Sequence, residues 1–160
     1  MPEEGQSIGL FRFASAAAIL LFGAYVVSRG SAWAELAAVP AGQSSASAGS
    51  TVSSVAGTQW GALSTPLMLC GAALIGANVL YIAMPASIDR LVPVIANIVI
   101  GGVLAALTLY FIANTNEILG GKSGRAVSLE YSHATGSLVA LVIALAILGV
   151  GLLQLRMRDD

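Results

Sequence analysis

Long apolar stretches with few or no charged residues alternate with more polar segments along this chain. Four of the stretches are long enough to cross the hydrocarbon core of a bilayer, which takes about 20 apolar residues in a helix. They cover residues 8–28, 60–84, 91–113 and 134–155. The pattern predicts an all-α fold, an integral membrane four-helix bundle that forms a single membrane domain over residues 1–160.

The segments between the predicted helices differ in character. Residues 85–90 form so short a link that the second and third spans must make an antiparallel helical hairpin. Residues 30–59 are rich in Ser, Ala, Gly and Thr and have little to bury, so we expect a mobile or poorly ordered loop. Residues 114–133 are more polar, and we expect an ordered or half-ordered loop before the last helix.

The composition indicates that lipid is the solvent of this protein. Apolar residues make up 57% of the chain and charged residues only 9%, whereas soluble domains carry about a quarter charged residues. Eight acidic and seven basic side chains cannot cover the surface of a soluble globule of 160 residues. A net charge of −1 leaves no basic surface for nucleic acid, so the expected partner is the bilayer.

The distribution of cations favours one orientation by a narrow margin. With the N-terminus inside, the inner ends of the helices hold Arg12, Arg90, Arg156 and Arg158, and the outer ends hold Arg29, Lys122 and Arg125. Four cations on the inside against three on the outside is only a narrow margin under the positive-inside rule. The nearly uncharged loop 30–59 is easy to translocate. We therefore expect a cell-membrane protein with both termini in the cytoplasm.

An alternative interpretation makes the first span a cleaved secretory signal. Residues 32–34, Ala-Trp-Ala, resemble a small-x-small cleavage site, and an arginine precedes the apolar run. Against cleavage, Glu3 and Glu4 lie in the N-terminal region and Arg29 interrupts the approach to the site.

Small residues at four-residue spacing predict the helix faces that pack together. Each such row lets a neighbouring backbone approach closely, which drives helix association inside lipid. The candidate packing positions are Ala72 with Gly76, Gly101 with Ala105, and the row Gly136, Ala140 and Ala144.

Two amides, Asn78 and Asn97, lie deep in the predicted spans, on opposite arms of the hairpin and at similar depth. We expect them to hydrogen-bond to each other or to a nearby carbonyl and so to fix the register of the hairpin, a contribution of about 0.6–2 kcal/mol. The alternative is a polar site for a carried ligand. Trp33 and Trp60 bracket the loop 30–59 and are predicted interface anchors, because indole rings prefer the headgroup region.

The sequence shows no pattern typical of an active site. No charged residue lies in the middle of a predicted span, where ion-coupled transporters place one, and no nucleophile, base and orienting group come together. His133 and Cys70 are single, which excludes bis-histidine haem ligation, a disulfide and a thiolate metal site within this chain. Glu117 and Glu130 are interpreted as solvated loop charges. We predict no enzyme, no catalytic residue, no cofactor and no metal.

The order of features resembles a known family. Residues 28–33, Ser-Arg-Gly-Ser-Ala-Trp, end the first span, and residues 57–67, Gly-Thr-Gln-Trp-Gly-Ala-Leu-Ser-Thr-Pro-Leu, open the second. Over about residues 10–115 this layout is similar to that of the actinobacterial tryptophan-biosynthesis-associated membrane proteins. The third loop and the C-terminus depart from that family, because they lack a tryptophan-rich pattern. The resemblance implies about four spans in a bacterial inner membrane and implies no reaction.

Two functions are open at this point. The first is a non-enzymatic accessory or structural subunit that packs against itself, as a homo-oligomer, or against a larger membrane complex. The second is a small carrier or permease component, with Asn78, Asn97 and Thr108 along the path of a small molecule.

Overall fold

The computed structural model describes residues 2–40, 51–61, 64–123 and 127–159. The described elements, in chain order, are α1 (Pro2–Ser28), β1 (Ala32–Pro40), β2 (Thr51–Ala56), a 3-10 turn (Gly57–Gln59), α2 (Ser64–Ala83), α3 (Leu91–Ala113), α4 (Thr115–Ile118), β3 (Lys122–Ser123), β4 (Val127–His133) and α5 (Thr135–Asp159).

Four of these helices are long and apolar enough to cross a membrane. Their apolar spans lie at Ile8–Ser28, Ser64–Ala83, Leu91–Ala113 and Thr135–Arg158. The first and third spans have the predicted bounds. The second begins at Ser64 rather than at 60, and Pro66 falls in its first helical turn, where its missing N–H is tolerated.

The long helices pack side by side in a closed ring, called here the helical core. Helix α1 contacts α2 and α5, and α3 contacts the same two helices on the other side. Because the connections return the chain each time, neighbouring helices run antiparallel. All four strands follow α1 or α3 in the chain, so they lie at one end of the helical core, the sheet end. The α2–α3 turn, the start of α1 and the end of α5 lie at the opposite end, the hairpin end.

The expectation of an all-α chain is wrong in one respect, because a small antiparallel sheet covers the sheet end. Its strand order is β2-β1-β4-β3, and β3 is only two residues long. Strand β1 pairs with β4 from Ala34 opposite His133 to Pro40 opposite Val127. The other edge of β1 pairs with β2, with two irregularities in register. The sheet joins the segment after α1 to the segment before α5.

Both predicted loops therefore contain strands. Residues 127–132, Val-Ser-Leu-Glu-Tyr-Ser, alternate apolar and polar residues, which is the two-residue period of a strand. The expectation of a poorly ordered 30–59 loop is wrong for 32–40 and 51–56, which are strands. For residues 41–50 this expectation lies outside the described residues.

The α2–α3 turn follows from its sequence. Pro85 disfavours helical geometry in the residue before it, so α2 ends at Ala83. The Asp89 Oδ1 atom accepts a hydrogen bond from the Leu91 backbone N–H at 2.8 Å, which satisfies a free donor at the start of α3.

Candidate functional site

Asn78 and Asn97 face each other across the contact between α2 and α3. Asn78 Nδ2 donates to Asn97 Oδ1 at 2.8 Å, and Asn97 Nδ2 donates back to Asn78 Oδ1 at 3.2 Å. Both side chains are fully buried. The pairing expected from the sequence is present, and only one register of the two helices lets both bonds form.

The pair belongs to a longer series of hydrogen bonds that crosses the helical core. Asn97 Nδ2 also donates to Gln154 Oε1 at 2.7 Å, and Gln154 Nε2 donates to Ser15 Oγ at 3.0 Å. Gln154 and Ser15 are fully buried as well. These four residues, Ser15, Asn78, Asn97 and Gln154, are called the amide chain. Each of the four long helices contributes one member.

The amide chain satisfies most of its donors internally. Asn78 Nδ2 has a second acceptor, the Leu74 carbonyl one turn earlier, at 2.8 Å. Both amide hydrogens of Asn78, both of Asn97 and one of Gln154 thus have acceptors. A polar group in an apolar medium costs several kcal/mol unless it is hydrogen-bonded. The amide chain is therefore suited to holding the four long helices together, and its neutral side chains supply no acid or base for catalysis.

Helices α3 and α5 approach each other closely at two glycines. A Cβ atom on Gly101 would lie 2.5 Å from the Leu148 backbone nitrogen, and one on Gly151 would lie 2.8 Å from the Ile98 backbone nitrogen. The predicted packing positions that are buried in the helical core are Gly101, Ala105, Ala140 and Ala144. Gly136 is also buried, but a Cβ atom there would meet the Ala32 carbonyl at the start of β1 rather than another helix.

The remaining predicted packing pair, Ala72 and Gly76, lies on the outside of the helical core. Ala72 is exposed, and a Cβ atom on Gly76 would meet nothing within 4 Å. Helix α2 instead turns Gly71 inward, where a Cβ atom would lie 2.7 Å from the Phe22 ring. As a contact within the helical core, the prediction for Ala72 and Gly76 is wrong.

Trp33 lies in a buried aromatic cluster at the sheet end. Its ring centroid is 5.5 Å from that of Phe111 and 6.2 Å from that of Tyr25, and its indole N–H donates to the Ser28 carbonyl at 2.9 Å. The Trp33 side chain has 0% exposure. It cannot reach lipid headgroups, so its prediction as an interface anchor is wrong. Trp60 is half-buried, with its ring centroid 5.0 Å from that of Phe111.

Apart from the amide chain, one buried hydrogen bond links α1 directly to α3 across the ring of helices. The Tyr25 hydroxyl lies 2.9 Å from Thr108 Oγ1. Because the Thr108 hydroxyl donates to the Leu104 carbonyl at 2.8 Å, Tyr25 is the donor in this contact. Thr108, a candidate for a transport path, is thus fully buried and hydrogen-bonded on both sides.

Arg29 is a buried cation beside the aromatic cluster. Its Nη2 donates to the carbonyls of Gly57 at 3.1 Å and Trp60 at 3.3 Å, and the side chain is 7% exposed. Burial lowers the pKa of the guanidinium, an effect that Tyr25 opposes, and an arginine remains protonated at neutral pH. These bonds join the end of α1 to the segment that opens α2, the two segments on which the family resemblance depends.

Comparison of the chain with protein-family models, with curated proteins and with solved structures finds no match. The resemblance to the tryptophan-biosynthesis-associated proteins stays a prediction. Among the described residues, no group of three His, Cys, Asp or Glu side chains could hold a metal ion.

Replacing Gly57 by alanine is expected to displace Trp33, because the new Cβ atom would lie 2.5 Å from the indole Cδ2. Overpacking of this kind costs about 1–3 kcal/mol. In a Trp60→Phe background, Trp33 is the single tryptophan, and its fluorescence should shift to longer wavelength in Gly57→Ala. Gly61→Ala is the control, since a Cβ atom there meets nothing within 4 Å. Identical spectra for both variants would show that Gly57 does not support the ring.

Proposed function

We propose that the protein is a multi-pass membrane protein without enzymatic activity, an accessory or structural subunit. It associates through the outer face of α2 with itself or with a larger membrane complex. The observation that supports this proposal is a set of small residues on α2 that the helical core leaves uncovered.

The outer face of α2 carries two adjacent rows of small residues. Ala72 and Ala73 are exposed, Gly76 and Ala77 are half-buried, and a Cβ atom on Gly76 would have open space. Inside lipid, such residues let a second helix approach closely enough for dispersion contacts between backbones. A shallow apolar groove of about 300 Å³ between α1 and α2, lined in part by Ala72, adjoins this face.

The internal hydrogen bonds favour a subunit over the alternative of a small carrier. A carrier needs polar groups that a ligand can reach within the membrane. Asn78, Asn97 and Thr108 have 0% exposure and already bond to protein groups. A ligand on this path would have to break several of those bonds.

The orientation that we propose places the hairpin end in the cytoplasm and the sheet outside. Arg12 donates through Nε and Nη2 to the Ile82 carbonyl near the end of α2, which brings its charge to the hairpin end. Arg90 lies in the α2–α3 turn, and Arg156 and Arg158 lie in the last turn of α5. Four of the seven cations in the sequence thus belong to this end, a narrow margin in the direction that the positive-inside rule favours.

Native mass spectrometry of the protein released from its own membranes tests the association. We expect a complex with more than one chain, either copies of this protein or a co-purifying membrane protein. Gly76→Leu should reduce the complex by at least about tenfold, because a side chain on this face separates the helices. Gly149→Leu on α5 is the control, since a Cβ atom there also has open space. A strictly monomeric wild-type protein with no co-purifying chain would rule out the proposal.

A further inference from the structure

The apolar groove between α1 and α2, called here the α1–α2 groove, has a volume of about 300 Å³. Its floor consists of the buried residues Phe22, Leu67 and Gly71. Gly71 lets the two helices meet at the floor, since a Cβ atom there would lie 2.7 Å from the Phe22 ring. Exposed apolar side chains, among them Val26 and Met68, form the walls. Every side chain that lines the groove is apolar, so its surface suits hydrocarbon.

The α1–α2 groove lies within two of the membrane-length spans. Its residues belong to the spans Ile8–Ser28 and Ser64–Ala83. Along α2 it extends from Leu67 to Ile75, a length of about 12 Å at 1.5 Å per residue. Its end at Val26 and Leu67 lies within a turn of the place where both spans stop at the sheet end. A molecule seated in the groove therefore has its apolar part in the span and its other end at the membrane boundary.

Arg29 lies at this boundary and on the α2 side of α1. It follows Phe22 by seven residues and Val26 by three, the spacing that places side chains on one helix face. The backbone continues in a turn, because the Arg29 N–H donates to the Val26 carbonyl at 3.2 Å. The bonds from Nη2 to the carbonyls of Gly57 and Trp60 hold the guanidinium beside the segment that opens α2. The same helix face thus presents the apolar groove and then a cation.

The charge of Arg29 has no counter-charge in the described part of the chain. The side chain is only 7% exposed, and no described Asp or Glu carboxylate forms an ion pair with it. Its Nε is enclosed by protein and has no acceptor. Its Nη1 also donates to no described group but is not enclosed, so an anion from outside the chain can reach it. A buried charge is strongly destabilising unless it is paired, so the guanidinium favours an external anion.

We propose that Arg29 and the α1–α2 groove together bind one phospholipid from the leaflet at the sheet end. The phosphate lies on the guanidinium, and an acyl chain lies in the groove. A guanidinium matches the geometry of phosphate oxygens, and basic sites between transmembrane helices bind lipid headgroups. A free phosphate ion would pair with Arg29 but would leave the apolar groove unfilled.

The proposed lipid site is distinct from the surface proposed for association. The two share Ala72, but Ala73, Gly76 and Ala77 do not line the groove. A lipid in the groove therefore leaves most of the small-residue face of α2 open to a second helix.

Native mass spectrometry of the full chain tests the site, after delipidation in detergent and titration with palmitoyl-oleoyl phosphatidylglycerol. We expect one lipid per chain to bind at least about tenfold more tightly than a diacylglycerol with the same acyl chains, because charge-assisted hydrogen bonds to the phosphate are lost in the diacylglycerol. Inorganic phosphate in millimolar excess should not displace the phospholipid, since it does not occupy the groove.

Two variants separate the groove from the cation. Val26→Trp fills the groove and should weaken phosphatidylglycerol binding at least about threefold, because the indole takes the place of the acyl chain. Val27→Trp is the matched control, since Val27 is the next residue, is 76% exposed and does not line the groove. Arg29→Gln should abolish the preference for phosphatidylglycerol over diacylglycerol. That preference is a ratio within one variant, so a loss of stability that affects both lipids equally does not imitate the result.

Each of three results would overturn the assignment. The first is equal binding of phosphatidylglycerol and diacylglycerol by the wild-type protein, which would show that the phosphate is not recognised. The second is equal phosphatidylglycerol binding by Val26→Trp and Val27→Trp, and the third is displacement of the lipid by inorganic phosphate. The lipid adduct is counted on each chain whether or not the chains associate, so this proposal and the subunit function fail separately.

Discussion

Asn97→Ala is expected to lower the free energy of unfolding by about 2–4 kcal/mol. Asn97 is the only member of the amide chain that bonds to two other members by three hydrogen bonds, two with Asn78 and one with Gln154. Side-chain hydrogen bonds between membrane helices average about 0.6 kcal/mol and reach about 1.7. The truncation also leaves the amide oxygens of Asn78 and Gln154 buried without these donors, which adds to the loss.

Unfolding in mixed micelles with increasing SDS, followed by circular dichroism, measures this effect. Ile95→Ala on the same helix is the matched control, because its side chain is 55% exposed on the outer face. The control should lose less than about 1 kcal/mol, since the new surface faces lipid-like solvent before and after the change. Equal losses for the two variants would contradict a structural role for the amide chain.

Gly101→Ala is expected to lower the free energy of unfolding by about 1–3 kcal/mol, whereas Gly102→Ala should leave it unchanged or raise it. The two glycines are adjacent in α3, so the backbone context is nearly the same. A Cβ atom on Gly101 would lie 2.5 Å from the Leu148 backbone nitrogen, and one on Gly102 would meet nothing within 4 Å. Backbone cannot rotate away as a side chain can, so α3 and α5 must separate in the first variant only.

The same SDS titration measures the two glycine variants side by side. Their difference cancels most of the gain in helix propensity that both share. A Gly102→Ala protein that is as destabilised as Gly101→Ala would contradict the close approach of α3 to α5 at this position.

The helices could be predicted from the sequence because each contains a long apolar run with few charged residues, and their bounds change little in the structure. The Asn78–Asn97 pairing could also be predicted, because the short 85–90 link forces the two helices to fold back against each other. The other members of the amide chain were missed. Ser15 is an ordinary small residue in sequence, and Gln154 lies at the end of its predicted span.

Gln154 could have been predicted by extending the row of small residues on α5 towards the end of the helix. The buried face of α5 continues from Ala140 and Ala144 through Ile147 and Gly151 to Gln154, with spacings of three and four residues. This is the helical period that defines one face. The amide at the end of the row therefore had to point into the core.

The sheet was missed for a different physical reason. Low-complexity composition predicts disorder when a segment can bury little apolar area. Here β1 buries Trp33 and Ala34 against the end of the helical core, and its backbone pairs with β4, which is distant in sequence. The local sequence of β1 does not indicate which distant segment its backbone will pair with. The prediction that Trp33 anchors the protein at the membrane interface failed for the same reason. The preference of tryptophan for lipid headgroups applies only where no other part of the protein covers the ring.

The central claim is that lipid surrounds the helical core, with the sheet on one side of the membrane and the α2–α3 turn on the other. Labelling of intact cells with a membrane-impermeant maleimide tests it, in a Cys70→Ala background with a single cysteine at Ser54 or Ser87, both exposed. We predict that the cysteine at 54 reacts in intact cells and the one at 87 reacts only after permeabilisation. Equal reaction of both cysteines before permeabilisation would contradict the claim.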